Sequence, residues 1–198
     1  MARDLPEAFF LQRLEAFLTP AIATAKKSFG RARSSVKKDN SLVTEADLAI
    51  SKIWYKHLVD LKNDPLHCFV DEETAEAPKD LWQRIDRSRY LWVLDPIDGT
   101  SSYACGRPMW GICAAVLKDK KPYIGMTYLA NDDGIITVSP QKFTFQKIGG
   151  RAQKIPPLRP LPQATLALDS GLAKVLDFAR LPYKFNYLGA SCTMIGWT

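Results

Sequence analysis

A chain of 198 residues with 46% hydrophobic and 24% charged content has the composition of an ordinary globular protein, long enough for one large domain or one and a part. Its net charge of +6 is scattered in short clusters at Lys26-Lys27, Arg31 to Lys38 and Lys118 to Lys121, with no interleaved aromatic residues, so nucleic acid is not an expected partner. No run approaches membrane-spanning length, and acids and polar residues interrupt the apolar stretch at the N-terminus, which argues against a leader and for a cytoplasmic protein with no membrane partner.

Apolar residues recur at three- and four-residue steps from Leu5 to Phe29, the pattern of an amphipathic helix with Gly30 as its stop. Pro20 should kink that helix or split it in two. After a basic, Ser-rich segment at residues 31 to 41, Thr44 offers an N-cap for a second long helix running through Leu48, Ile53, Trp54 and Leu61. A short strand is expected at His67 to Val70, followed by an acidic exit, and a strand at Tyr90 to Leu94 apolar enough to be buried on both faces. Beyond Asp98 come a short helix and a series of short strands separated by Lys-Asp-Lys-Lys, Asn-Asp-Asp-Gly and Gly-Gly turns, which reads as an antiparallel meander. Four prolines between Pro156 and Pro162 mark a linker or boundary, after which a strand, a helix and a strand are expected. Cys68, Cys105, Cys113 and Cys192 have no CxxC or zinc-type spacing and read as reduced, mostly buried thiols.

Three acidic segments carry the chemical signal. In "LWVLDPIDGTSSY" an apolar strand runs into Asp95 and Asp98, and Pro96 stiffens the turn so that the Ile97 carbonyl can point between two carboxylates. Such an all-oxygen setting suits Mg²⁺, which takes few protein carboxylates and completes its octahedron with water and substrate phosphate. Gly99, Thr100, Ser101 and Ser102 open a helix there, a setting for an anion. The same residues also fit ordinary turn chemistry, with Asp98 as an N-cap. Asp71-Glu72-Glu73 follows the earlier strand and reads either as a cation site or as a solvated loop. Glu45 and Asp47 after Thr44 read equally as helix capping.

Taken together, the three segments resemble the inositol monophosphatase family of metal-dependent sugar phosphatases. "DNSLVTEADLAIS" is similar to the family's N-terminal acidic segment, "FVDEET" to its Glu-Glu motif and "WVLDPIDGTSSY" to its Asp-Pro-Ile-Asp-Gly-Thr signature; "GRPMWGICAAVLKDKKPYIGMTY" resembles the segment that follows. The likeness covers roughly residues 5 to 140. It implies an α/β (α+β layered) fold of α-β-α-β-α type with the C-terminal part incomplete: an N-terminal metal- and phosphate-binding domain over residues 1–155, then a linker and partial C-terminal domain over 156–198.

The resemblance further implies that Glu72, Asp95 and the Ile97 carbonyl bind a first Mg²⁺, and that Asp95 and Asp98 contribute to a second. Thr100 paired with Asp47 would orient or deprotonate the attacking water with Glu73 in support, and Gly99, Thr100 and Ser101 would hold the phosphate. The implied activity is Mg²⁺-dependent hydrolysis of a small phosphorylated polyol, such as inositol monophosphate or histidinol phosphate, with no covalent intermediate. Ile97 and the Ser-Ser after Thr100 fit that branch better than the nucleotide-phosphatase branch. One departure stands out: the family's later Trp-Asp motif, whose Asp completes the second metal site, is absent after Gly189. The expectation is a truncated chain, with reduced competence or metal binding alone as the alternative outcome, and an exposed sheet edge that favours a homodimer.

Overall fold

The computed structural model describes residues 4–37, 42–73 and 80–155, together with the backbone of residues 165–167 and 184–186. Helix α1 spans Glu7–Ser28 and buries Phe10, Leu14, Phe17, Leu18, Ala21 and Ile22 on one stripe. Pro20 lies inside it and does not split it, which removes one of the two outcomes expected of that proline. The reason is tertiary: the apolar stripe continues on both sides of the proline, and packing outweighs the one ladder bond that a ring nitrogen cannot make. Gly30 ends the run with φ +66°, and a Cβ there would sit 3.2 Å from the Gly106 backbone, so the chain leaving α1 lies directly against a later loop.

Strands β1 (Ser34–Val36) and β2 (Leu42–Thr44) pair antiparallel, with Ser34 opposite Thr44. Nothing in the sequence announced β1, because all three of its residues are exposed and no alternation marks it. Helix α2 (Glu45–His57) starts where expected, with the Thr44 side chain accepting from the Ala46 N–H and the Asp47 carboxylate accepting from the Thr44 N–H. Its pattern runs on to Leu61 only as a separate turn of 3₁₀ helix, Val59–Leu61.

Strand β3 (His67–Asp71) is followed by helix α3 (Leu81–Arg87) and strand β4 (Tyr90–Asp98), parallel to β3 with Asp71 opposite Leu94. Tyr90, Trp92 and Leu94 are fully buried, while Leu91, Val93 and Asp95 on the opposite face are only half-buried. Burial on both faces of β4 is therefore met on one face among the described residues. That face packs on the two long helices through an aromatic cluster: Phe10 meets Tyr90, Trp92 and Tyr123, and Trp54 meets Phe17 and Trp92. Each such ring contributes about 1.5–3 kcal/mol by leaving water, which makes this the anchor of the fold.

Helix α4 (Thr100–Ala104) follows β4 directly, and its Tyr103 hydroxyl donates to the Ala25 carbonyl of α1 at 2.7 Å. Then β5 (Gly111–Lys118), β6 (Lys121–Leu129), β7 (Gly134–Val138), β8 (Phe143–Lys147) and β9 (Gln153–Lys154) form the expected meander, giving a seven-stranded sheet in the order β3-β4-β5-β6-β7-β8-β9. Beyond it, β10 (Thr165–Ala167) and β11 (Lys184–Asn186) pair parallel, which fits the expected strand, helix, strand order. The expected helix between them, the proline-rich stretch and Cys192 lie outside the described residues. Cys68, Cys105 and Cys113 are free; Cys68 is buried but Cys105 is exposed, so the expectation of mostly buried thiols fails there. No helix among the described residues is long and apolar enough to cross a membrane.

Candidate active site

Three chain segments meet at the end of β4. The parallel register of β3 on β4 continues one residue past Asp71, where the Glu72 N–H donates to the Leu94 carbonyl at 3.1 Å, and this sets Glu72 beside Asp95. On its other side β4 pairs with β5, but the register slips between Asp95 opposite Cys113 and Asp98 opposite Gly111. Three residues on β4 match two on β5, so β4 carries one extra residue at Pro96-Ile97. The cause is Pro96: lacking an N–H, it cannot sit regularly in an interior strand, and a bulge removes it from the ladder. Pairing resumes at Asp98, opposite Gly111, and the strand ends there.

Gly99 has φ +86° and ψ +37°, the left-handed conformation that lets the chain pass from the strand into α4 within one residue. The Ile97 side chain is fully buried and its carbonyl accepts from the Thr100 hydroxyl at 3.0 Å. Ser101 next to Thr100 is exposed.

The electrostatics are those of acids crowded together. Burial, then the Glu72 charge, then Cys113 and Asp98 push the Asp95 carboxyl up to about 9. One oxygen of Asp95, Oδ1, is inaccessible to solvent and has no hydrogen-bond partner; the same holds for Oδ1 of Asp47 and Oδ1 of Asp71. Burial also raises Asp47, against the hydrogen bonds it accepts from Thr44, with the Glu72 charge adding to the rise. Glu73 is drawn both ways: burial raises it, the Lys37 ammonium lowers it, and burial wins.

These observations bear on whether a cation fits. Among the described residues no three acidic, His or Cys side chains converge as a ready-made cage. Without a cation that is the expected state, since like charges separate or take up protons. A buried Asp95 oxygen without a partner, on a strand end beside Glu72, is an oxygen donor set that a hard divalent cation satisfies with water as its remaining ligands. The residues present therefore fit a divalent cation.

Of the sequence-derived residues, Glu72, Glu73, Asp95, Ile97, Asp98, Gly99, Thr100 and Ser101 lie on the two neighbouring strand ends and the turn after them. Asp47 enters from the start of α2, close enough for its charge to act on Glu73 and Tyr103. The hydrogen bonds of Asp47 and Thr100 run elsewhere than to each other: Asp47 Oδ2 takes both the N–H and the hydroxyl of Thr44, and Thr100 turns to Ile97. Lys37 was missed by the sequence reading. Its ammonium reaches Glu73 Oε1 at 2.8 Å and Glu72 Oε1 at 3.3 Å. Within a run of basic residues it looked like solvated surface, and only the β1–β2 pairing carries it to the acids.

The geometry defines a layered α/β protein with a cluster of carboxylates at the end of its one parallel strand pair in the main sheet, β3 and β4. The inositol monophosphatase family model matches residues 10–161, and the chain belongs to that family. It is 40% identical over 100 residues to inositol-1-monophosphatase ImpA of Mycolicibacterium smegmatis, covering 50% of this chain and 33% of that protein. It is 30% identical over 166 residues to inositol monophosphatase 3 of Solanum lycopersicum, covering 80% of this chain and 59% of the relative. The chain thus spans a third to three fifths of the length of these relatives. Among solved structures, an IMPase/NADP phosphatase complexed with Mg²⁺ and phosphate matches with a TM-score of 0.61 at 20% identity, over 92% of this chain and 65% of the other, a likeness of fold.

Proposed function

We propose that the chain is a Mg²⁺-dependent phosphomonoesterase that hydrolyses a small phosphorylated polyol, inositol monophosphate or histidinol phosphate being the substrates to try first. The observation that carries this reading is the Glu72–Asp95 pair at the ends of two parallel strands, with the buried Asp95 Oδ1 left without a partner. Mg²⁺ is favoured by the all-oxygen donor set, and a relative of the same fold is described as a complex with Mg²⁺ and phosphate.

Glu72, Asp95, the Ile97 carbonyl and Asp98 are the residues that would hold the cations. When bound, divalent cations supply the charge that makes a water nucleophilic at neutral pH and that steadies the leaving oxygen. The chain's own groups do the rest. Gly99 caps α4 and Thr100 and Ser101 open its first turn, where helix N–H groups lack intrahelical acceptors, and the three would orient the phosphate. Thr100 and Asp47 would take the proton of the attacking water, with Glu73 in support. The Thr100 hydroxyl must then turn from the Ile97 carbonyl, a rotation about one bond. The same reading makes residues 1–155 the metal- and phosphate-binding domain, and the chain a cytoplasmic homodimer.

The test is phosphate release from both substrates by the purified chain, with and without Mg²⁺, beside Asp95→Asn. Release that requires both Mg²⁺ and Asp95 supports the proposal. Metal binding without release would leave a cation-binding family member that is not a working enzyme.

A further inference from the structure

The Lys37 ammonium is not placed as a surface charge would be. Its side chain is 19% exposed and the Glu73 side chain it meets is 4% exposed, whereas Arg33 on the same hairpin is 90% exposed and only 4.0 Å from Glu45. It bridges two consecutive carboxylates, Glu73 at 2.8 Å and Glu72 at 3.3 Å. Glu72 in turn lies beside Asp95 across the paired strand ends. The strand pairing of Ser34 with Thr44 fixes where Lys37 leaves β1 and also where Asp47 begins α2, so one small element supplies both a cation and an acid to the centre.

A lysine drawn this far from water is held there by charge. Its ion pairs with Glu73 Oε1 at 2.8 Å and Glu72 Oε1 at 3.3 Å offset what its ammonium loses by leaving water. The same carboxylate, Glu72, is the group that links Lys37 to Asp95. A divalent cation on Glu72 and Asp95 would lie within a few ångströms of the Lys37 nitrogen, and two cations at that range repel.

We propose that Lys37 is the chain's built-in counter-cation for this centre: its ammonium neutralises Glu72 and Glu73 in the metal-free protein and must give way when a divalent cation binds, so that Lys37 sets the metal affinity by competition. Lys37 is in this sense a positioning residue, acting through the carboxylates. The inference rests on the reading of Glu72 and Asp95 as cation ligands.

The experiment is calorimetric titration of the metal-free chain with Mg²⁺ for the wild type, Lys37→Met, Lys37→Arg, Arg33→Met and Asp95→Asn. Lys37→Met should tighten Mg²⁺ binding roughly three- to tenfold, the size expected for removing one partly screened charge. Lys37→Arg should stay close to wild type, and Arg33→Met, which removes a charge from the same hairpin without touching these acids, should change little. Unchanged or weaker binding in Lys37→Met, with Asp95→Asn still losing the metal, overturns the role of Lys37 and leaves the metal centre standing. Equal behaviour of wild type and Asp95→Asn overturns both. A measurement on the wild type alone guards against a variant that misfolds: lysine acylation mapped by mass spectrometry should label Lys37 faster once Mg²⁺ is added, and labelling that does not rise counts against the proposal.

Discussion

The indole N–H of Trp92 donates to Nδ1 of His67 at 2.9 Å, across two parallel strands and inside the aromatic cluster that anchors the sheet. The bond fixes His67 as an acceptor at Nδ1, and the ring also stacks on Tyr90 with centroids 5.2 Å apart. Burial lowers the His67 pKa, the nearby Asp64 carboxylate opposing that shift in part. The imidazole is thus a neutral part of the core.

A consequence for acid stability follows. The unfolded chain takes up a proton on this histidine near pH 6.5, while the folded chain resists it, so stability contributed by His67 is present above that value and is lost as pH falls below it. Thermal midpoints measured from pH 7.5 down to 5 should fall relative to those of His67→Gln, which keeps an acceptor for Trp92 without a titrating ring; a constant difference between the two would mean that His67 does not contribute to the acid dependence.

Asp95 works in the opposite direction. Its folded pKa is raised above the unfolded value near 3.9, so between roughly pH 4 and 9 the folded state binds a proton that the unfolded state does not, and metal-free stability falls as pH rises. Asp95→Asn should therefore fold with an equal or higher midpoint at pH 8 in chelator, show a shallower alkaline slope, and bind no Mg²⁺. A variant that melts well below wild type in chelator would show that the carboxyl is needed for folding.

The capping arrangement at α2 gives a stability prediction with a known scale. Thr44 is 1% exposed, accepts from the Ala46 N–H at 3.2 Å and supplies both its N–H and its hydroxyl to Asp47. Thr44→Ala should cost about 1 kcal/mol, a fall of roughly 2–4 °C in midpoint for a chain of this size. Asp47 would lose one of its restraints, so Mg²⁺-dependent phosphate release should fall further than stability alone explains, which activity measured well below the midpoint would show.

Gly99 is the other position where backbone conformation decides the outcome. At φ +86° any Cβ is strained, and Gly99→Ala should cost about 1–2 kcal/mol while disturbing the turn that leads Asp98 into Thr100. Melting together with calorimetry should register both effects, a lower midpoint and weaker phosphate binding in the presence of Mg²⁺. A variant with wild-type values in both would argue that the turn relaxes without consequence.

Much of the site was legible because its parts are local. Asp95, Pro96, Asp98 and Gly99 lie within five residues, and what Pro96 does to an interior strand follows from its missing N–H. Thr44 as a helix start was equally readable, since the capping residues are adjacent in sequence. What could not be read was anything that depends on a neighbour far along the chain: the continuity of α1 through Pro20, the half-covered second face of β4, the β1–β2 pairing, and the approach of Lys37 to Glu72 and Glu73 across about 35 residues.

By itself, then, the sequence determined the two long helices, the strands leading to the acids and the meander, where the acids cluster and which family they belong to, because periodicity, capping and turn chemistry act over a few residues. The tertiary structure decided how those acids are charged. Strand register brings Glu72 beside Asp95 and the hairpin brings Lys37 onto both glutamates, and proximity in a poorly solvated place moves a proton or recruits a counter-cation, which no isolated segment can do.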